Sequence, residues 1–247
     1  MDNKTLIKII IATVALIIGF IFGSLWQENK QLKNNLANTA ADNSLNDGLS
    51  DVINPTMSIS ELLPKMPAVT EEDHLRGNPE AKIVLVEYSD YECSFCNLFH
   101  PTMQQVITKY GDQVAWVYRH FPLINMHAQA QISAEASECV AKLAGNDIFW
   151  KYSDRLFEEA EKNGSLALTE NKLIEYASEL GVNNTALQNC LDSGETTELV
   201  NEDAIGGESA GITGTPGTIL VTSEGDYELI SGALPLEQVI SVIEQYL

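Results

Sequence analysis

Ile83-Val84-Leu85-Val86-Glu87-Tyr88-Ser89-Asp90-Tyr91-Glu92-Cys93-Ser94-Phe95-Cys96 joins an unbroken apolar run to two cysteines separated by two residues. Lys82 to Tyr88 lacks the alternation of a half-exposed strand, which predicts a central strand covered on both faces. From Cys93 to Tyr110 the period changes. Phe95, Phe99, Met103, Val106 and Tyr110 recur along one stripe and Gly111 follows, the pattern of a helix with a glycine stop. The cysteine pair therefore falls at a strand-to-helix junction. A helix's first turn has four N–H groups without partners and the positive end of the peptide dipoles, and both favour a thiolate over a thiol. An ordinary cysteine, with a pKa of about 8.5, is only about 3% ionised at pH 7, and each unit of depression corresponds to about 1.4 kcal/mol.

The other chemistry open to a lone Cys-x-x-Cys is half of a zinc site. That needs a second ligand pair, yet Cys139 and Cys190 stand alone and there is no His-x3-5-His. Redox chemistry at Cys93 and Cys96, with no metal, is the expectation.

Ile9 to Leu25 is an uninterrupted run without charge, preceded by Lys4 and Lys8 and closed by Trp26. As a helix it spans about 26 Å, enough for a thin bilayer. A cleaved signal peptide is the rival reading. The run is longer than a typical signal core, and no small-x-small site follows closely. We expect an uncleaved anchor: residues 1–26 are a cytoplasmic tip and transmembrane helix, and the remainder is extracytoplasmic, where disulfides persist. Residues 27–66 are rich in Asn, Asp, Ser, Thr and Ala and read as a flexible stalk. Residues 67–247 suffice for one well-cored domain. Beyond Leu36 the chain carries 10 Lys and Arg against 33 Asp and Glu. Such a surface repels nucleic acid and anionic lipid.

The rest of that domain has a readable order. Gln113 to Arg119 is a second strand. A long helical stretch follows from about Ala128 to Gly211, with Ile132, Ala136, Cys139, Val140 and Leu143 on one face. Thr218 to Thr222 and Tyr227 to Ile230 are short strands joined across Ser223-Glu224-Gly225-Asp226, a hairpin turn. Pro235 opens a last helix through Leu247.

Strand, Cys-x-x-Cys helix, strand, helical insertion, then Thr215-Pro216, hairpin and helix resembles the DsbA-like branch of the thioredoxin superfamily. The likeness covers roughly residues 68 to 247. It rests on Val86-Glu87-Tyr88-Ser89-Asp90-Tyr91-Glu92-Cys93-Ser94-Phe95-Cys96, on Arg119-His120-Phe121-Pro122-Leu123, and on Gly211-Ile212-Thr213-Gly214-Thr215-Pro216. It implies an α/β, thioredoxin-like fold with an all-helical insertion at about 125–211.

It also implies roles. Cys93 corresponds to an exposed nucleophile and Cys96 to a buried resolving thiol; the redox-active disulfide itself is the reagent, so no cofactor is expected. Pro216 corresponds to a proline in a cis bond facing the cysteines, and Thr215 to the residue that meets a substrate strand. Glu87 matches a buried acid that shuttles a proton to or from Cys96. Ser94 is expected to give the thiolate a backbone or hydroxyl hydrogen bond. Phe95 offers no imidazole where the oxidising type carries one, and Glu87, Asp90 and Glu92 would oppose a thiolate if ionised, so an oxidant milder than the strongest is expected. His120 and His127 fall in segments near the active-site face of relatives, where each can influence Cys93 or simply cap and pack; His74 and His100 read as structural.

Cys139 and Cys190 leave two readings: inert buried thiols, or a disulfide pinning two insertion helices. The even count and the oxidising compartment favour the bond. Closing about 50 residues would constrain the unfolded chain by about 4 kcal/mol, against about 2 for the Cys93–Cys96 loop.

The function expected is an extracytoplasmic dithiol oxidase acting on reduced, unfolded exported proteins. By likeness alone, a membrane partner of the DsbB or vitamin-K-epoxide-reductase type would reoxidise it. The alternatives are a reductase or isomerase of the same fold, or a redox-inert, chaperone-like binding module.

Overall fold

The computed structural model describes residues 66–247. The expected membrane span and almost all of the expected stalk lie outside them. Among the described residues no helix is long and apolar enough to cross a membrane.

Five strands form one sheet. They are β1 (His74–Arg76), β2 (Ile83–Ser89), β3 (Val114–His120), β4 (Gly217–Thr222) and β5 (Tyr227–Ser231), in the order β1-β3-β2-β4-β5. β2 is central, as its continuous apolar run predicts, and all but one of its residues are buried. It pairs parallel with β3 and antiparallel with β4. The parallel pair needs a crossover, and α1 (Ser94–Tyr110) supplies it. That helix runs through Pro101 and stops at Gly111, whose φ of +49° suits a residue without a Cβ.

Alternate residues of β2 feed two cores. Ile83 and Leu85 join Trp116, Tyr118 and Leu220 beneath the apolar stripe of α1, which contributes Cys96, Phe99, Met103 and Val106. Val86 and Tyr88 join Val117, Phe121 and Ile219 on the opposite face. Burying one such side chain stabilises the fold by about 1.5–3 kcal/mol.

The insertion between β3 and β4 is helical: α2 (Ala130–Ala144), α3 (Asn146–Asn163), α4 (Glu170–Glu179), α5 (Asn184–Ser193) and α6 (Thr197–Ser209). α6 covers the second face through Gly207. A Cβ there would lie 2.8 Å from ring atoms of both Tyr88 and Phe121.

Two elements differ from expectation. β1 was not foreseen, because three residues carry no readable period; it exists through antiparallel pairing with β3. The lead-in before it is tied down by Arg119, which donates to Asp73 at 2.7 and 3.1 Å and to the carbonyls of Pro67 and Ala68. The last helix, α7 (Leu236–Ile243), ends before Leu247, because the chain tightens into shorter turns and the Tyr246 hydroxyl donates to Glu228 at 2.9 Å.

Candidate active site

β2 ends at Ser89 and α1 begins at Ser94, so Cys93 is the N-cap residue, with extended backbone (φ −74°, ψ 119°). Its N–H donates to the Asp90 carbonyl at 3.1 Å, closing the turn, and its own carbonyl accepts from Asn97 N–H at 3.0 Å. Cys93 and Cys96 are unbonded thiols. The Cys93 pKa is lowered to about 5, chiefly by the Cys96 thiol donating to its sulfur. Burial opposes this, while the Thr215 side chain and the backbone N–H groups of Cys96 and Phe95 assist. At pH 7 such a group is about 99% thiolate. Cys96, fully buried, moves the other way: burial, then its role as donor to Cys93 and the charge there, hold it well above the ordinary thiol value. One sulfur is an anion and the next is a proton carrier.

The loop before β4 covers Cys93 from above. The Thr215–Pro216 bond is cis, and the Cys93 thiol lies 3.5 Å from the Thr215 carbonyl oxygen, to which it donates when protonated. Thr215 Oγ1 is buried without a protein partner, which leaves it as the donor for the thiolate. A cavity of about 220 Å³ follows this loop, lined by Ile212, Thr215, Pro216 and Leu229 among others.

Glu87 lies on the cysteine side of the sheet, level with Tyr118 on β3 and Thr218 on β4. It is fully buried, and neither carboxyl oxygen makes a well-formed hydrogen bond. Ser89 Oγ, Trp116 Nε1, Tyr118 Oη and Thr218 Oγ1 are buried and unpartnered as well. Burial pushes Glu87 up to about 7; the nearby Ser89 hydroxyl and Trp116 indole moderate the rise, and the Cys93 charge adds to it. Its charge in turn disfavours a thiolate at Cys96.

The structure corrects the expected exposure of Cys93 and agrees with the favoured bond between Cys139 and Cys190. Cys93 is only 5% exposed, because the Thr215 loop packs over it; the exposed groups are its neighbours Ser94 and Phe95, the latter 62% exposed. The backbone donors to Cys93 are the N–H groups of Phe95 and Cys96, one and two residues beyond Ser94. Cys139 and Cys190 form a disulfide joining α2 to α5, apart from the Cys93–Cys96 pair. His120 is engaged with Glu138 at 2.8 Å, sharing that carboxyl oxygen with His74 at 2.7 Å. His100 pairs with Asp154 at 2.7 Å. Among the described residues no three His, Cys, Asp or Glu side chains converge as metal ligands would.

Sequence reasoning missed Ser89, Trp116, Tyr118 and Thr218 as the surroundings of Glu87. The signal was available: with β2 central, a one-in-two count along β3 and β4 brings them to its face. The thioredoxin family model matches residues 69–242. The chain belongs to that family.

Solved thioredoxin-like structures agree in fold. DsbA2 of Pseudomonas aeruginosa is 22% identical, with a TM-score of 0.62 over 73% of this chain and 97% of that one. BdbD of Bacillus subtilis, oxidised, is 21% identical, with a TM-score of 0.64 over 74% and 97%. At these identities the likeness shows the fold alone. Curated relatives include the Na(+)/H(+) antiporter NhaA 3 of Salinispora tropica, 29% identical over 61% of this chain. The NhaA antiporter of Herminiimonas arsenicoxydans is 33% identical over 61%. This thioredoxin-family chain spans only 22% of the length of either antiporter.

Proposed function

We propose that this protein is an extracytoplasmic thiol-disulfide oxidoreductase acting as a dithiol oxidase on reduced, unfolded exported proteins. The observation that carries the reading is the division of labour at α1: an acidic Cys93 at the helix start, with a protonated Cys96 buried behind it.

In the oxidised enzyme a substrate thiolate attacks Cys93 Sγ. A mixed disulfide forms, and the Cys93–Cys96 bond breaks. Cys96 leaves as a thiolate in a buried site that disfavours charge, so it must take up a proton; on this reading Glu87, which burial keeps protonated up to about pH 7, gives it. The substrate's second thiolate then attacks the substrate sulfur of the mixed disulfide, and Cys93 departs. Two electrons pass from the substrate dithiol to the enzyme. A low pKa makes Cys93 a good leaving group and stabilises the reduced enzyme, which makes the disulfide more oxidising.

Thioredoxin's reactive thiol has a pKa of about 7 and DsbA's about 3.5, with potentials of about −270 and −120 mV. Cys93 at about 5 lies between them, in keeping with an uncharged Phe95 beside it. A disulfide reductase is therefore the second reading. Glutathione equilibration distinguishes the two: a potential at or above about −180 mV supports the oxidase, and one near −270 mV the reductase. Cys93→Ser retaining activity on reduced, unfolded proteins would overturn both.

The apolar run Ile9 to Leu25, with Lys4 and Lys8 before it, supports a single membrane anchor with a cytoplasmic N-terminus. On that reading a quinone-linked membrane partner of the DsbB or vitamin-K-epoxide-reductase type returns Cys93 and Cys96 to the disulfide. Ion transport does not transfer from the antiporter relatives, of which this chain matches about a fifth.

A further inference from the structure

The loop after β3 is fastened to the turn before Cys93 by two carboxylates. Asp90, with its side chain fully buried, accepts from Glu92 N–H at 2.8 Å on one oxygen. On the other it accepts from Leu123 N–H at 2.9 Å and His127 Nδ1 at 2.8 Å. Its carbonyl receives the Cys93 N–H. Glu92 accepts from Gln129 N–H at 2.6 Å. His127 Nδ1–H is thus committed to Asp90, and Nε2 of the part-exposed ring is left to titrate. The first turn of α1 contains Ser94, Phe95, Cys96 and Asn97, so a cation for Cys93 has to come from another element.

We propose that His127 is that cation: held by Asp90, its imidazolium stabilises the Cys93 thiolate each time the Cys93–Cys96 disulfide is reduced. The inference rests on the reading of Cys93 and Cys96 as a thiol-disulfide centre and adds a charge partner to it. Asp90 links the two groups, its carboxylate holding His127 Nδ1 and its carbonyl the Cys93 N–H, and Glu92, the residue before Cys93, is the other carboxylate of this turn. Burial works against the imidazolium, but the Asp90 hydrogen bond and charge, then Cys93 and Glu92, outweigh it and raise the His127 pKa above the ordinary imidazole value.

Linkage makes the idea testable, because coupling between two groups is reciprocal. Whatever the imidazolium does for the thiolate, the thiolate does for the imidazolium. The thiolate exists only in the reduced protein. Reduction by a substrate dithiol delivers two electrons and two protons; one proton goes to Cys96, and the other is divided between His127 and solvent. His127 must then bind its proton more tightly in the reduced form.

The experiment is an NMR titration of the His127 ring in the full chain in detergent, oxidised and reduced, assigned by the missing signal in His127→Gln. A pKa higher by at least half a unit in the reduced form supports the proposal; equal values overturn it. Cys93 ionisation, read as thiolate absorbance, is followed in parallel. His127→Gln is expected to raise the Cys93 pKa by about half a unit and to make the disulfide about threefold less oxidising against glutathione. His127→Lys keeps a cation and should recover at least half of the loss, whereas a packing role makes Lys as damaging as Gln. Wild-type Cys93 titrating near 8.5 would sink the thiol-disulfide reading itself. An acidic Cys93 beside an indifferent His127 would sink this inference alone.

Discussion

The Cys93 sulfur lies 3.5 Å from the carbonyl oxygen of Thr215, a residue 122 positions later in the chain. The surroundings of this thiol are therefore completed by a loop on the far side of the helical insertion. Removing the Thr215 hydroxyl takes a donor from the thiolate, and hydrogen bonds to charged groups contribute about 1.5–3 kcal/mol. Thr215→Val is expected to raise the Cys93 pKa by about one unit, read from thiolate absorbance against pH.

Glu87 makes stability depend on pH. Burial raises its pKa from 4.5 to about 7, so between those values the folded state holds a proton that the unfolded state has released. The linkage slope is then negative: Glu87 lowers stability as pH rises from about 4.5 to 7, and the loss is complete above that. Glu87→Gln cannot ionise. Urea unfolding of the oxidised protein should show it more stable than wild type by up to about 3 kcal/mol at pH 8.5, with the gain shrinking toward zero by pH 4.5. A pH-independent difference would show that Glu87 does not titrate in this range. Single-turnover release of Cys96 should be slower in the same variant.

Phe95 is 62% exposed at the helix start, so replacing it leaves the core intact. Phe95→His puts a titratable cation beside the thiolate. The expected change is a potential higher by about 30 mV, tenfold in the equilibrium with glutathione. An unchanged potential would mean that solvent screens the new charge.

The Cys139–Cys190 disulfide closes a separation of 51 residues within the insertion. Replacing both cysteines by alanine should lower stability by about 4 kcal/mol in urea unfolding, from the chain-entropy term. The Cys93–Cys96 potential should be unaffected, because that pair lies on α1 and not on the bridged helices α2 and α5. A matching shift in potential would instead couple the two disulfides.

Much of the fold is readable in the chain because burial on a regular element leaves a local period. β2, α1, β3, the β4–β5 hairpin and the start of α7 all show theirs. β1 shows none, and neither does the early end of α7, since both depend on distant partners. At the site, spacing put Cys93 and Cys96 at the strand-to-helix junction, and the resemblance singled out Glu87, which the fold buries. The donors to Cys93 are the Cys96 thiol first, then the Thr215 side chain and the backbone N–H groups of Cys96 and Phe95. Asp90 read only as a charge opposed to the thiolate. Packed, its carboxylate is occupied by Leu123, Glu92 and His127.

The amino-acid order alone determined that two thiols stand where a buried strand turns into a helix, because residue type and local period are properties of neighbours. Tertiary structure decided which groups meet that junction: Thr215 above Cys93, Thr218 and Tyr118 flanking Glu87, His127 on Asp90, and Cys190 on Cys139. Those contacts are set by strand register and helix packing across long separations, and a thiol's acidity depends on what is packed against it.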